Sequence, residues 1–181
     1  YPGYAYALNP CESTTTLVPH TLRHETWRDK GVPMSEMREL YQEIILDHNK
    51  QPRNCYVMNC ANRSADGHNP LCGDTVKVYL RIEDGVIEEI SFQGAGCAIC
   101  TASTSLMTES VTGKTVEEAK HLFDEFHDML TGVAAEQGLE LGKLQVFEGV
   151  REYPVRVKCA TLAWHTLNAA MDGEDENVTT E

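Results

Sequence analysis

Positive charge is scarce in this chain. Fifteen lysines and arginines stand against 28 aspartates and glutamates over 181 residues, a formal net charge of −13. A body this acidic repels phosphate backbones, which excludes nucleic acid as an expected partner. Long apolar runs are missing too: no stretch approaches the roughly 18 residues that a bilayer span requires, so no membrane role is expected. No charged, then apolar, then small-residue leader is visible, and no internal repeat. The seven cysteines do not form the dense framework of a small secreted domain, and the chain is long enough to stabilise itself by core burial. With 41% apolar and 24% charged residues the composition is that of a globular protein. The expected setting is the cytoplasm, where reduced thiols serve metal binding or sulfur chemistry. In that setting the glycosylation patterns at Asn62-Arg63-Ser64 and Asn177-Val178-Thr179 are chance matches.

Three regions separate by pattern. Residues 1–33 show neither helical nor strand periodicity and read as an N-terminal extension of unknown role. Residues 34–171 form one domain, and 172–181 an acidic, mobile tail. Within the domain, Met37, Leu40, Tyr41, Ile44, Ile45 and His48 recur at helical spacing, with Ser35 as N-cap and Gln51-Pro52 as the stop. Residues 53–73 read as a long loop. Val76, Val78, Leu80 and Ile82 then alternate with polar neighbours, Asp84-Gly85 turns the chain, and Val86 to Phe92 return, a β-hairpin of type I′. A small-residue helix follows over 98–112. Thr115 with Glu118 makes a capping box for a helix carrying Val116, Ala119, Leu122, Phe123, Phe126, Met129 and Leu130 on one stripe. Leu144, Val146 and Phe147 mark a short segment, and a last helix spans about 157–171. The fold class expected is α+β, a small antiparallel β-sheet packed against helices.

Chemistry gathers at three cysteines. Cys72 stands before the first strand of the hairpin, Cys97 where strand becomes helix, and Cys159 at the entry to the last helix. In Cys72-Gly73-Asp74 the thiol and carboxylate are two apart, and glycine lets the backbone bend so that both face one ion. A helix N-terminus lowers a thiol pKa and favours the thiolate that ligates metal and carries sulfur. Three thiolates and one carboxylate make a closed tetrahedral zinc site, or three-quarters of an iron–sulfur ligand set.

The stretch from about 36 to 171 resembles the IscU/SufU family, the U-type proteins of iron–sulfur cluster biogenesis. Leu40 to Asn54, Cys72-Gly73-Asp74, Gly94-Ala95-Gly96-Cys97 and Lys158-Cys159-Ala160-Thr161-Leu162 carry the resemblance, in the family's order. Scaffold members place a histidine before the last cysteine and a Leu-Pro-Pro-Val-Lys motif upstream. This chain has Lys158 and Tyr153-Pro154-Val155-Arg156-Val157 there, and an insertion around 130–150. Those departures are similar to the zinc-dependent sulfur-acceptor branch. The resemblance implies one zinc on Cys72, Asp74, Cys97 and Cys159, and a persulfide received on Cys72 from a SufS-type, pyridoxal-phosphate cysteine desulfurase. Downstream iron–sulfur assembly proteins would take the sulfur, with Arg156 and Lys158 offsetting negative charge at the site. The alternative is a scaffold assembling a [2Fe–2S] cluster on the same ligands. A third reading is a zinc protein that only docks the desulfurase.

Blander readings cover the remaining candidates. Cys97-Ala98-Ile99-Cys100 is a CxxC, yet a redox pair of the thioredoxin kind needs a βαβ context, and a hairpin precedes it. Cys100 is expected one turn into the helix as a small buried residue. Cys55 and Cys60 read as surface or packing residues, and Cys11 has no reading. His121 and His127, six apart, point in different directions. His165 packs on the last helix, and His68 belongs to an exposed loop.

Overall fold

Alternation in the sequence becomes alternation in burial. Strand β2 (Asp74–Glu83) turns Asp74, Val76, Val78 and Leu80 inward. β3 (Val86–Ala95) pairs with it antiparallel, opposing Val78 to Phe92 and Leu80 to Ile90. The turn between them carries positive φ at Asp84 (49°) and Gly85 (79°), as a type I′ turn requires. The computed structural model describes residues 34–132, 141–173 and 178–179. The N-terminal extension, residues 133–140 of the insertion and most of the acidic tail lie outside these, as do the side chains of Ser35, Met37 and Leu40.

Two strands were not expected. β1 (Arg63–Asn69) runs through the stretch that reads as loop and pairs antiparallel with β2. Its inward residues are Ala65, Gly67 and Asn69, too small and polar to announce a strand. β4 (Val178–Thr179) lies parallel to β1 at Gly67–His68, so part of the tail is ordered and the sheet is mixed, in the order β3-β2-β1-β4.

Helices cover the inner face. α1 (Met34–Lys50) starts ahead of Ser35, which therefore stands inside the helix and is not its cap. α2 (Ala98–Val111) begins at Cys97, and α3 (Val116–Thr131) opens on the expected Thr115–Glu118 capping box and closes on left-handed Gly132. A 3₁₀ helix (Gly142–Glu152) leads into α4 (Pro154–Asp172), which starts three residues earlier than the periodicity indicated because Pro154 supplies a preset first helical turn. Trp164 of α4 is fully buried, stacked on Phe126 at 4.9 Å and on Phe123 at 6.0 Å, with Phe147 edge-on to Phe126 at 5.8 Å. His165 packs edge-on against Phe123.

Three polar contacts and one close approach fix the layers. Ser105 Oγ accepts from the Arg53 N–H at 2.8 Å and lies 2.8 Å from His48 Nδ1, joining α2 to the end of α1. Ser103 Oγ donates to the Ala160 carbonyl at 2.6 Å, joining α2 to α4. At Gly67 a methyl group would overlap the Thr166 hydroxyl, so α4 lies directly on the backbone of β1.

Burial first, then the Arg53 charge, holds His48 below the ordinary histidine value of 6.5, with Glu109 opposing, and burial does the same to His165. The unfolded chain therefore binds more protons in mild acid, and stability declines as pH falls through 6.5 toward the folded values. Urea midpoints should be level above about pH 7, fall below it, and fall less steeply in His48→Gln. Gly67→Ala should lose about 1–3 kcal/mol in the same assay, part of it recovered by adding Thr166→Ala.

Candidate metal centre

The inward row of β2 reads Leu80, Val78, Val76 and then Asp74, so a carboxylate ends a line of core aliphatics. A carboxylate 2% exposed is costly unless it is bonded or bound. Its Oδ1 accepts from the Cys97 backbone N–H at 2.9 Å, at the positive end of α2. Its Oδ2 has no hydrogen-bond partner among the described residues.

Opposite Asp74 in the ladder is Asn69, and the four residues between them, Pro70 to Gly73, carry Cys72. Gly73 takes φ +72°, and its N–H returns to the Asn69 carbonyl at 2.8 Å. Cys72 is thus the tip residue of a tight β1–β2 connection, a placement hidden while β1 is read as loop. Cys159 comes from α4, in its second turn and not at its entry. Helical side chains lean toward the N-terminus, which brings its sulfur 3.6 Å from the Val155 carbonyl and 3.2 Å from Cys72 Sγ.

Donor atoms of Cys72, Asp74 and Cys159 all lie within 4.8 Å of one another, the one such cluster among the described residues. The Cys97 thiol does not join that set; Cys97 is the N-cap of α2, and its backbone is what touches Asp74. An unpartnered buried carboxylate oxygen beside two sulfurs suits a cation of borderline softness.

Charge around the thiols is uneven. Burial first, then the Cys72 thiol and the Asp74 carboxylate, push the Cys159 pKa far up. Arg156, exposed in the first turn of α4, is pushed above the ordinary arginine value first by Cys97 and then by a hydrogen bond with Cys159. Lys158 makes no hydrogen bond or ion pair among the described residues, whereas Arg156 reaches the sulfurs. Leu71, Tyr153 and Val155 are exposed apolar side chains on the two segments that supply Cys72 and Cys159.

Other candidates fall away. Cys100 is buried, and burial followed by the Asp74 charge pushes its thiol far up. A methyl at Gly96 would sit 3.1 Å from its sulfur and 3.3 Å from the Asp74 carboxyl carbon, so Cys100 backs the site without lining its mouth. Cys55 is exposed. His68 is exposed on β1, not in a loop. His121 and His127 join no metal cluster among the described residues. A cavity of about 690 Å³ lies between α3 and the 3₁₀ helix, lined by Lys114, His121 and Lys143 among others, and contains none of the clustered donors. In the metal-free protein, iodoacetamide should modify half-exposed Cys72 at least about tenfold faster than buried Cys159 or Cys100, read by peptide mass spectrometry.

Comparison with known proteins agrees with this geometry. The family model described as the NifU-like N-terminal domain matches residues 40–160. The chain is 37% identical over 136 residues to the zinc-dependent sulfurtransferase SufU of Bacillus subtilis, spanning 75% of this chain and 92% of that relative. It is 38% identical over 138 residues to the iron–sulfur cluster assembly scaffold protein IscU of Streptococcus pyogenes, spanning 76% and 86%. A crystal structure from Fervidobacterium islandicum, described as an iron–sulfur cluster assembly scaffold protein for the SUF system, superposes with a TM-score of 0.69 at 35% identity, over 74% of this chain and 98% of that one. The sheet, the loop thiol and these matches together place the chain in the IscU/SufU family, built on the NifU-like N-terminal domain.

Proposed function

We propose that this protein is a zinc-dependent sulfur acceptor that takes persulfide sulfur from a SufS-type cysteine desulfurase onto Cys72. The observation that carries the reading is the compact Cys72, Asp74 and Cys159 cluster with its unpartnered carboxylate oxygen, in a chain 37% identical to a protein named a zinc-dependent sulfurtransferase. Cys72, Asp74 and Cys159 would hold zinc, with Cys97 as the fourth donor. When bound, zinc keeps the thiols deprotonated at neutral pH.

The transfer itself is thiol–disulfide chemistry. The Cys72 thiolate attacks the outer sulfur of the desulfurase persulfide, a new S–S bond forms on Cys72, and the desulfurase cysteine leaves as thiolate. No net oxidation occurs, and no co-reactant is needed. Cys72 suits the role because it sits at a loop tip and is half-exposed, whereas Cys159 is buried. Arg156 offsets the negative charge of the arriving sulfur.

The 38% identity to a protein named an IscU scaffold supports a second reading, assembly of a [2Fe–2S] cluster on the same donors. Thiolates accept both metals, so ligand type does not separate the two.

Cysteine turnover by a pyridoxal-phosphate desulfurase, measured without iron, should rise strongly with the zinc-loaded protein, little with the metal-free protein, and not at all with Cys72→Ala. Stimulation that survives in Cys72→Ala means docking alone. Absence of zinc-dependent stimulation, with a [2Fe–2S] spectrum on anaerobic reconstitution, turns the assignment to the scaffold.

A further inference from the structure

We propose that Asn69 is a positioning residue of this site: its buried amide ties the Cys72 loop to the Cys159 sulfur and governs how firmly the site holds its metal. The inference rests on the zinc reading above and goes beyond it to a residue outside the donor set.

Asn69 ends β1, directly across the ladder from Asp74, and is fully buried. An amide in such a position costs stability unless its donors and acceptors are used. Its side-chain Oδ1 accepts the Leu71 N–H at 3.0 Å, and its backbone carbonyl accepts the Gly73 N–H at 2.8 Å. Leu71 and Gly73 flank Cys72, so one residue grips the loop on both sides of the acceptor thiol.

The same bonds orient the amide. A backbone N–H can only donate, so the atom facing Leu71 is the oxygen, and the NH₂ group points the other way. There Nδ2 lies 3.9 Å from Cys159 Sγ. This is a long contact for a neutral thiol, and it gains strength as negative charge builds on the sulfur. Arg156 approaches the thiols from solvent; Asn69 is the donor that reaches Cys159 from inside the fold. Hydrogen bonds of this kind to metal-ligating groups are worth about 10–100-fold in metal affinity.

Two substitutions separate the donor from the acceptor. In Asn69→Ser the hydroxyl still reaches the Leu71 N–H as a short side-chain turn, but falls short of Cys159. In Asn69→Asp the Leu71 acceptor is kept, and no donor faces the sulfur. The full chain and both variants are titrated with zinc against a chromophoric chelator, cobalt(II) spectra are recorded for the thiolate-to-metal bands, and urea midpoints are taken on metal-free samples.

Zinc affinity should fall at least about tenfold in both variants, the cobalt bands should shift, and the metal-free midpoint of Asn69→Ser should stay near that of the parent. Parental zinc affinity and unshifted bands in either variant overturn the proposal. Should Asn69→Ser be unstable, Asn69→Asp decides alone on the same criteria. A parent chain that binds no zinc defeats the zinc reading itself, which this outcome distinguishes from a failure of the Asn69 role.

Discussion

Pairing of β1 with β2 is the constraint on which the site depends. It sets Asn69 against Asp74 and compresses Pro70 to Gly73 into a turn, so a thiol and a carboxylate two residues apart both lie beside the Cys159 sulfur. Without that ladder, Asp74 would be a carboxylate on a strand end with no reason to be buried. With it, the row of aliphatics that builds the core runs straight into a charge. Such a charge, with one oxygen bonded to the Cys97 N–H and the other unpartnered, is a strong local signal for a cation.

Helix ends supply the remaining chemistry. The first turn of α2 offers its free N–H to Asp74, and the first two turns of α4 deliver Arg156 and Cys159 to the same place. Opposite signs thus meet where the sheet ends and two helices begin. The apolar residues around them act by shape alone, because Trp164, Phe126 and Phe147 lock α4 and the 3₁₀ helix at a fixed height over the sheet. Core packing therefore determines where the Cys159 sulfur stands relative to Cys72.

Much of this was legible in the residues. The β2–β3 hairpin follows from alternation and Asp84-Gly85, the α3 start from Thr115 and Glu118, and Asp74 from its spacing to Cys72. β1 was not legible. Arg63-Ser64-Ala65-Asp66-Gly67-His68-Asn69 has only Ala65, Gly67 and Asn69 on its inner face, where α4 lies so close at Gly67 that no side chain fits. Asn69 was hidden for the same reason: its importance comes from a strand that propensity does not reveal. The start of α4 was misplaced because Tyr153, Val155 and Arg156 are exposed and break the apolar stripe, although Pro154 marks a first helical turn. The thiol of Cys97 falls outside the compact set of the other three donors, a matter of side-chain placement that spacing cannot resolve.

The close seat of α4 on Gly67 bears on how sulfur can travel. Asp74 is held in a ladder and Cys159 in a helix pinned both to the sheet and, through Ser103, to α2. Of the three clustered donors, Cys72 alone sits on a turn, beside a left-handed glycine. Two of the donors are thus fixed by sheet and helix, and the third by a four-residue turn closed on Asn69. A half-exposed sulfur on that turn is reachable from outside while the packed layers beneath it stay closed.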